Sequence, residues 1–264
     1  MKTHTLFFSP TQTGATIAKT VQNALETEAG ESFDITKTAI EKTFGADDVV
    51  IIAMPIYSGR LPPIGAERFN AARGNGAKAV AITMRGNANT GDALLELTDL
   101  CTEQGFEVIA AATFIGEHSF TMKEFPIAVG RPDAADLQKA ADFAQLIQER
   151  LHTEGPLAPP AVPGTRPYKD AMNPPGTAAT GTNPENCTRC GLCQTFCPTG
   201  AITLTADGPQ TDDSKCIWCA ACVKVCTSHA RAFTLPKIKE IAERLYQTCQ
   251  TRQKPEWFLA QKGN

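Results

Sequence analysis

Eight of the chain's ten cysteines fall within forty residues, 187–226. They form two runs, CTRCGLCQTFCP (187–198) and CIWCAACVKVC (216–226), which repeat at an offset of 29 residues. Each run spaces its thiols two, two and three residues apart. That pattern suits a cubane iron–sulfur cluster: three thiolates on a tight loop hold one face, and the fourth lies on the following short helix, displaced toward a second site. In paired runs of this kind the fourth cysteine serves the other run's cluster. The spacing therefore assigns Cys187, Cys190, Cys193 and Cys226 to one [4Fe–4S] cluster, and Cys216, Cys219, Cys222 and Cys197 to the other. Zinc is the competing chemistry, but zinc sites are built from two pairs each rather than from groups of three plus one.

The second run lacks two residues of the first. Ala220 stands where Gly191 follows the second cysteine, and Thr227 stands where Pro198 follows the fourth. Alanine can replace the glycine if the backbone there keeps φ below zero, and threonine regains an N–H that proline lacks. With Trp218, these residues change the hydrogen bonding and solvent access of the sulfurs, so the two clusters are expected to differ in potential. Cys101 and Cys249 stand apart and read as ordinary buried thiols. Asn186-Cys187-Thr188 matches a glycosylation sequon by chance.

A second constellation lies near the N-terminus. The loop SPTQTGAT (Ser9, Thr11, Gln12, Thr13, Gly14, Ala15 and Thr16 among its residues) joins an apolar run to a helical segment. Backbone N–H groups, a helix N-terminus and hydroxyls there suit a phosphate; a plain helix cap is the alternative. No lysine follows the glycine, which disfavours a nucleoside triphosphate, whereas a flavin phosphomonoester needs none. Further loops leave later strand ends: MPIYSGRLPP, with Pro55, Ile56, Tyr57, Ser58, Gly59, Arg60 and Leu61; RGNANTGDAL, with Arg85, Gly86 and Asn87; and IGEHSF, with His118. Gly59 and Gly86 would let backbone approach a planar ring, and Tyr57 could stack on it or cap its edge. Arg60 and Arg85 could stabilise a reduced, anionic flavin or simply face solvent. His118 reads as a proton carrier or as a loop-stabilising residue.

The elements that must position these residues are visible as periodicities. Apolar runs at 4–8, 48–54, 78–84 and 106–114, with a weaker one at 32–36, alternate with amphipathic segments at 14–28, 63–72, 90–104 and 133–151. Near-continuous apolar strands alternating with helices predict an α/β fold: a parallel five-stranded sheet, doubly wound in the order 2-1-3-4-5. In such sheets ligands bind beyond the carboxyl ends of the strands, where the four loops lie. Pro132-Asp133 marks the start of the last helix.

Residues 1–152 form this first expected domain. Residues 153–184 hold eight of the chain's 18 prolines and read as a semi-rigid linker. Residues 185–235 form a small α+β domain, in which AITLTA and ARAFTL flank the runs as mirrored short strands. Residues 236–253 read as an amphipathic helix, and Trp257-Phe258-Leu259 as an anchor for the tail of 236–264. Net charge is −3, divided as 13 basic against 19 acidic residues (−6) in 1–152 and 6 against 3 (+3) in 236–264. That gives no electrostatic case for nucleic acid, and no window is long enough for a membrane span. A cytoplasmic location is expected, and there so many cysteines point to metal rather than to disulfides.

FFSPTQTGAT, MPIYSGRLPP, RGNANTGDALLEL, FIGEHSF, FPIAVGRPDAADL and the two cysteine runs together resemble the iron–sulfur flavoproteins of anaerobic bacteria that fuse a flavodoxin-like domain to a two-[4Fe–4S] ferredoxin domain. The resemblance covers nearly all of 1–235. It implies FMN in the first domain and two [4Fe–4S] clusters in the second. Thr11, Thr13, Gly14 and Thr16 then match the phosphate loop, and Pro55 to Leu61 with Gly86 and Asn87 match the loops beside the flavin ring. Arg85 stands where the family commonly has tyrosine. The expected function is electron transfer with low-potential redox protein partners, coupling one-electron to two-electron carriers. The alternatives are a cluster-fed reductase of a small-molecule acceptor, with His118 and Arg85 as its catalytic candidates, and a redox-sensing module. No NAD(P) fingerprint follows any strand.

Overall fold

The computed structural model describes residues 1–172, 174 and 176–262; positions 173 and 175 of the expected linker and 263 and 264 of the tail lie outside the described residues. Strand and helix alternate through the first half: β1 (Lys2–Phe7), α1 (Thr13–Ala24), β2 (Glu28–Asp34), β3 (Asp48–Pro55), α2 (Pro63–Phe69), β4 (Lys78–Arg85), α3 (Ala93–Glu103), β5 (Glu107–Ile115) and α4 (Ala134–Leu151). The second half adds β6 (Thr180–Thr182), α5 (Leu192–Thr195), β7 (Ile202–Thr205), β8 (Gly208–Thr211), α6 (Ala221–Lys224), β9 (Arg231–Phe233), α7 (Pro236–Thr248) and β10 (Glu256–Leu259).

Five parallel strands stand in the order β2-β1-β3-β4-β5, the doubly wound arrangement expected. The central strand β3 shows why its sequence is apolar throughout. Val50, Ile52 and Met54 face a core with α2 and α3, while Val49, Ile51 and Ala53 face a core with α1 and α4. α4 begins as its sequence predicts: Asp133 accepts from the N–H groups of Ala135 and Asp136, and the Asp136 carboxylate accepts from the Asp133 N–H.

Several element boundaries differ from expectation. α1 stops at Ala24 rather than near 28, because β2 begins at Glu28 to pair with Lys2 of β1. β2 is weakly patterned because it is a largely exposed edge strand; Gly30 leaves room for the His4 ring, whose Nδ1 accepts from the Glu31 N–H at 3.0 Å. α7 stops at Thr248 rather than 253, because the following residues are captured by the Asn87 amide. That amide donates to the carbonyls of Cys249 (2.7 Å) and Thr251 (2.9 Å) and accepts from the Gln253 N–H (3.0 Å).

The tail then adds a strand that periodicity did not reveal. β10 pairs antiparallel with β5, so the sheet has six strands and β5 is not an edge. Trp257 stacks on Phe143 of α4 with ring centroids 5.8 Å apart.

The second half is a small α+β unit. β7 and β8 form a hairpin, and β9 pairs with β6, a strand inside the segment expected as linker. The short helices α5 and α6 pack against each other. This unit is seated on the first: Trp218, Ala179 and Ile238 bury together with Phe120 and Met122, and Arg68 of α2 donates to the Pro198 carbonyl at 2.9 Å. The linker lies along α3, where Asp92 accepts the N–H groups of Thr165 and Lys169, and Asp99 pairs with Arg166.

Candidate functional site

Both cysteine runs fold in the same way. α5 starts after Gly191 and α6 after Ala220, each in the left-handed conformation, at φ 77° and 61°. Arg189 and Trp218, two positions earlier, are left-handed as well, at 54° and 57°. Such turns aim backbone N–H groups inward, where anions bind. Ala220 therefore does not meet the condition of φ below zero under which alanine would replace glycine freely. The loop needs this turn to bring Cys222 round beside Cys219, and alanine adopts it at a cost of about 1–2 kcal/mol.

The eight cysteines are free thiols grouped around two small cavities. Cys187, Cys190, Cys193 and Cys226 line one; Cys197, Cys216, Cys219 and Cys222 line the other. Among the described residues no three His, Cys, Asp or Glu side chains converge on a point that a single metal ion could occupy. Four thiols set around a cavity instead suit a multi-iron core. The hydrogen bonds at the fourth cysteine of each run are alike, with the N–H donor one position later in the second run. Cys197 Sγ accepts from the Ala201 N–H at 3.3 Å with Thr199 Oγ1 at 3.7 Å; Cys226 Sγ accepts from the Arg231 N–H at 3.3 Å with Ser228 Oγ at 3.6 Å. Burial pushes the thiols of Cys193, Cys216 and Cys219 up. At Cys226 burial is outweighed by N–H donors, chiefly that of Arg231, and the thiol is shifted down.

A third, larger cavity of about 330 Å³ opens beyond the carboxyl ends of β1, β3, β4 and β5. Its size is in the range of small-molecule sites. Thr11, Thr13, Pro55, Ile56, Tyr57, Ser58, Gly59, Arg85, Gly86 and His118 line it, all from loops singled out by sequence. Its other wall comes from distant segments: Lys169 and Met172 of the linker, Trp218 between the cysteines, and Ile241, Arg244 and Leu245 of α7.

The 4Fe-4S dicluster domain family matches residues 180–250, a segment holding all eight cysteines of the two runs. The chain joins a flavodoxin-like domain to a 4Fe-4S dicluster domain. The first half of that statement rests on the strand order above. Solved structures similar to the chain include a flavodoxin from the domain Archaea (12% identity, 58% of this chain and 100% of that one, TM-score 0.37). Others are the Streptococcus pneumonia TIGR4 flavodoxin (16%, 55% and 96%, TM-score 0.37) and a Fusobacterium nucleatum flavodoxin bound to flavin mononucleotide (13%, 56% and 97%, TM-score 0.39). No curated protein matches.

Several expected cofactor residues of the flavodoxin-like domain do not line the cavity. Ser9 is buried, its hydroxyl accepting from the Ala15 N–H at 3.1 Å, so it caps α1. Gln12 and Thr16 bond within the turn, and Gly14 and Ala15 pack into the core side of the loop. Arg60 forks onto Glu96 (2.8 and 2.9 Å) and lies over the Tyr168 ring, while Leu61 is core. The Asn87 amide is committed to the tail, as described. The close approaches at two glycines are to the chain itself: a Cβ on Gly59 would run into Lys169 Nζ, and one on Gly86 into the His118 ring.

Arg85 and His118 remain at the cavity wall. Arg85 pairs with Glu256 of β10 at 2.9 Å, leaving its buried Nε–H without a partner. His118 Nδ1 accepts from the Phe120 N–H at 3.0 Å. Burial, aided by the Lys224 ammonium, holds the imidazole at about 4, so at neutral pH it is uncharged with its proton on Nε2. Burial and then the neighbouring Cys219 push the Tyr57 phenol well up, keeping it protonated.

Trp218 is a residue that sequence reasoning named for its effect on the sulfurs but did not place in the large cavity. It lines both the large cavity and the cavity of Cys197, Cys216, Cys219 and Cys222, and its Nε1–H donates to the Thr177 carbonyl at 2.7 Å. An aromatic placed between Cys216 and Cys219 was the available signal. Nothing local marked Lys169 or the α7 residues.

Proposed function

We propose that this chain is an electron-transfer iron–sulfur flavoprotein, with FMN in the large cavity and one [4Fe–4S] cluster in each cysteine-lined cavity. The observation that carries this is Trp218, a single side chain that walls both the large cavity and one cysteine cavity. When bound, the flavin would exchange one or two electrons and the clusters one each, so that one-electron and two-electron carriers are coupled.

The residues fit these groups. Among the described hydrogen bonds none uses the N–H of Thr11, Thr13 or Gly14, so the turn before α1 offers free donors to a phosphate. The orphaned Arg85 Nε–H and the His118 imidazole would donate to the polar edge of a flavin ring. Tyr57, Phe120 and Trp218 exclude water from the space between ring and cysteines. Cys190 is exposed while Cys219 is buried, so a redox protein partner reaches the cluster of Cys187, Cys190, Cys193 and Cys226 first.

A second reading, turnover of a small acidic molecule, is favoured by Lys169 and Arg244. Both border the cavity, and among the described residues neither has a carboxylate within ion-pair distance. Anaerobic purification with iron, sulfide and flavin quantitation tests the main proposal; about eight irons and one FMN per chain are expected. A preparation with full iron and no flavin, even after incubation with FMN, would sink it. Steady-state turnover of candidate acceptors separates the two readings, because a carrier exchanges electrons only stoichiometrically.

A further inference from the structure

Arg231 is 3% exposed, yet its guanidinium meets only neutral partners. It donates to Thr180 Oγ1 at 2.6 Å, Thr182 Oγ1 at 2.7 Å and Thr211 Oγ1 at 3.1 Å. Its Nε–H has no partner, and among the described residues no carboxylate comes within ion-pair distance. A cation buried this way is costly unless an anion lies close by. The groups that can supply one are cysteines from both sets. Nη2 is 3.7 Å from Cys222 Sγ, and the backbone N–H bonds Cys226 Sγ at 3.3 Å. The threonine cage fixes the fork against these sulfurs.

The repeat makes the charge one-sided. At the offset of 29, Arg231 occupies the place of Ile202, a buried residue of β7. The dicluster unit is therefore pseudo-symmetric in its ligands and asymmetric in its buried charge.

We propose that Arg231 is the buried counter-cation of the two clusters. A cubane core with four thiolates is net negative and gains a further negative charge when it takes up an electron, so a fixed cation favours the reduced form. The side chain touches Cys222, a ligand of the cluster beside Trp218, and raises that cluster's potential most. Electrons entering near exposed Cys190 are then drawn toward the flavin side. This rests on the two-cluster reading above.

The test is an anaerobic potentiometric titration of the full-length holoprotein. Dithionite is the electron donor, each cluster is followed by EPR, and the signals are assigned with Cys219→Ala. Arg231→Gln should move both midpoints to more negative potential. At the cluster beside Trp218 the ratio of reduced to oxidised cluster at fixed potential should fall about tenfold or more, which is 59 mV for one electron. Arg231→Lys, which keeps the charge, should stay within about threefold of wild type. Unchanged midpoints in R231Q with iron retained would overturn the proposal. If R231Q does not retain iron, R231K decides: full iron and near-wild-type midpoints support the charge role, while loss of iron in both variants assigns Arg231 to packing and overturns it. Wild-type protein with fewer than two clusters is a separate failure, seen in the iron count before any variant is titrated, and it takes this proposal with it.

Discussion

Gly191 and Ala220 hold the same left-handed backbone position 29 residues apart, at φ 77° and 61°, each directly before the helix that carries the third cysteine of its run, the fourth following the helix rather than lying on it as expected. Only Leu204 Cδ2, at 3.9 Å, faces a Cβ added to Gly191, so the two residues differ in conformational cost and not in space. Ala220→Gly is expected to stabilise the domain and Gly191→Ala to destabilise it, each by about 1 kcal/mol. The rate of cluster bleaching in guanidinium checks this, with about fivefold expected in opposite directions. Equal rates in both variants would remove the strain at Ala220.

The crossed ligand sets predict crossed phenotypes. Cys226→Ala and Cys187→Ala should each drop iron from about eight to about four and leave the same EPR signal. Cys197→Ala and Cys216→Ala should leave the other. If C226A instead matches C216A, each run holds its own cluster.

Trp218→Leu breaks the wall between the large cavity and the cysteine cavity and removes the bond to the Thr177 carbonyl. Stopped-flow reduction of the flavin through prereduced clusters should slow several-fold. Trp218→Phe keeps a ring but loses that hydrogen bond, so it should retain the rate while costing about 1 kcal/mol of stability. A W218L rate equal to wild type would show that electrons bypass Trp218.

His118 gives a pH signature. Its folded value of about 4 lies below the ordinary value of about 6.5, so the unfolded chain binds the proton first. Stability is full above about 6.5 and is lost as pH falls toward about 4, by about 2 kcal/mol at pH 5. Lys224 and Glu117 pair with each other beside it. Urea midpoints at pH 7 and pH 5 should differ less in His118→Gln than in wild type. An unchanged difference would assign the acid sensitivity to other groups.

The tail contact carries a stability prediction. Asn87→Ala deletes three hydrogen bonds that hold residues 249–253, at a cost of roughly 2–3 kcal/mol. Truncation after Thr248 goes further: it removes β10, orphans Arg85 from Glu256 and exposes β5 as an edge. Sedimentation velocity should then show self-association, as open apolar edges invite pairing. A monodisperse truncated chain would mean that β5 needs no cover.

Much of the site could be read from the chain because its parts are local. A cysteine run of eleven residues carries its own ligand spacing, whatever surrounds it. A strand buried on both faces, such as Val49 to Met54, must be apolar throughout, so the parallel sheet was visible as well. Ser9, Arg60, Leu61 and Asn87 sit in the expected loops but turn away from the cavity, because loop membership does not say which way a side chain points. Ser9 was drawn to a helix cap, Arg60 to Glu96 and Asn87 to the tail.

By itself the sequence determined the two cysteine runs, their 29-residue repeat and the doubly wound sheet with its loops at the strand ends. These follow from short-range spacing and from the period of burial. Only the tertiary structure decided that Glu256–Leu259 completes the sheet, that Trp218 walls two cavities, and that Arg231 is a buried cation where its repeat partner is Ile202. Each depends on contacts between segments far apart in the chain. An arginine in a three-residue strand reads as a surface residue until the threonines and sulfurs that enclose it are in place.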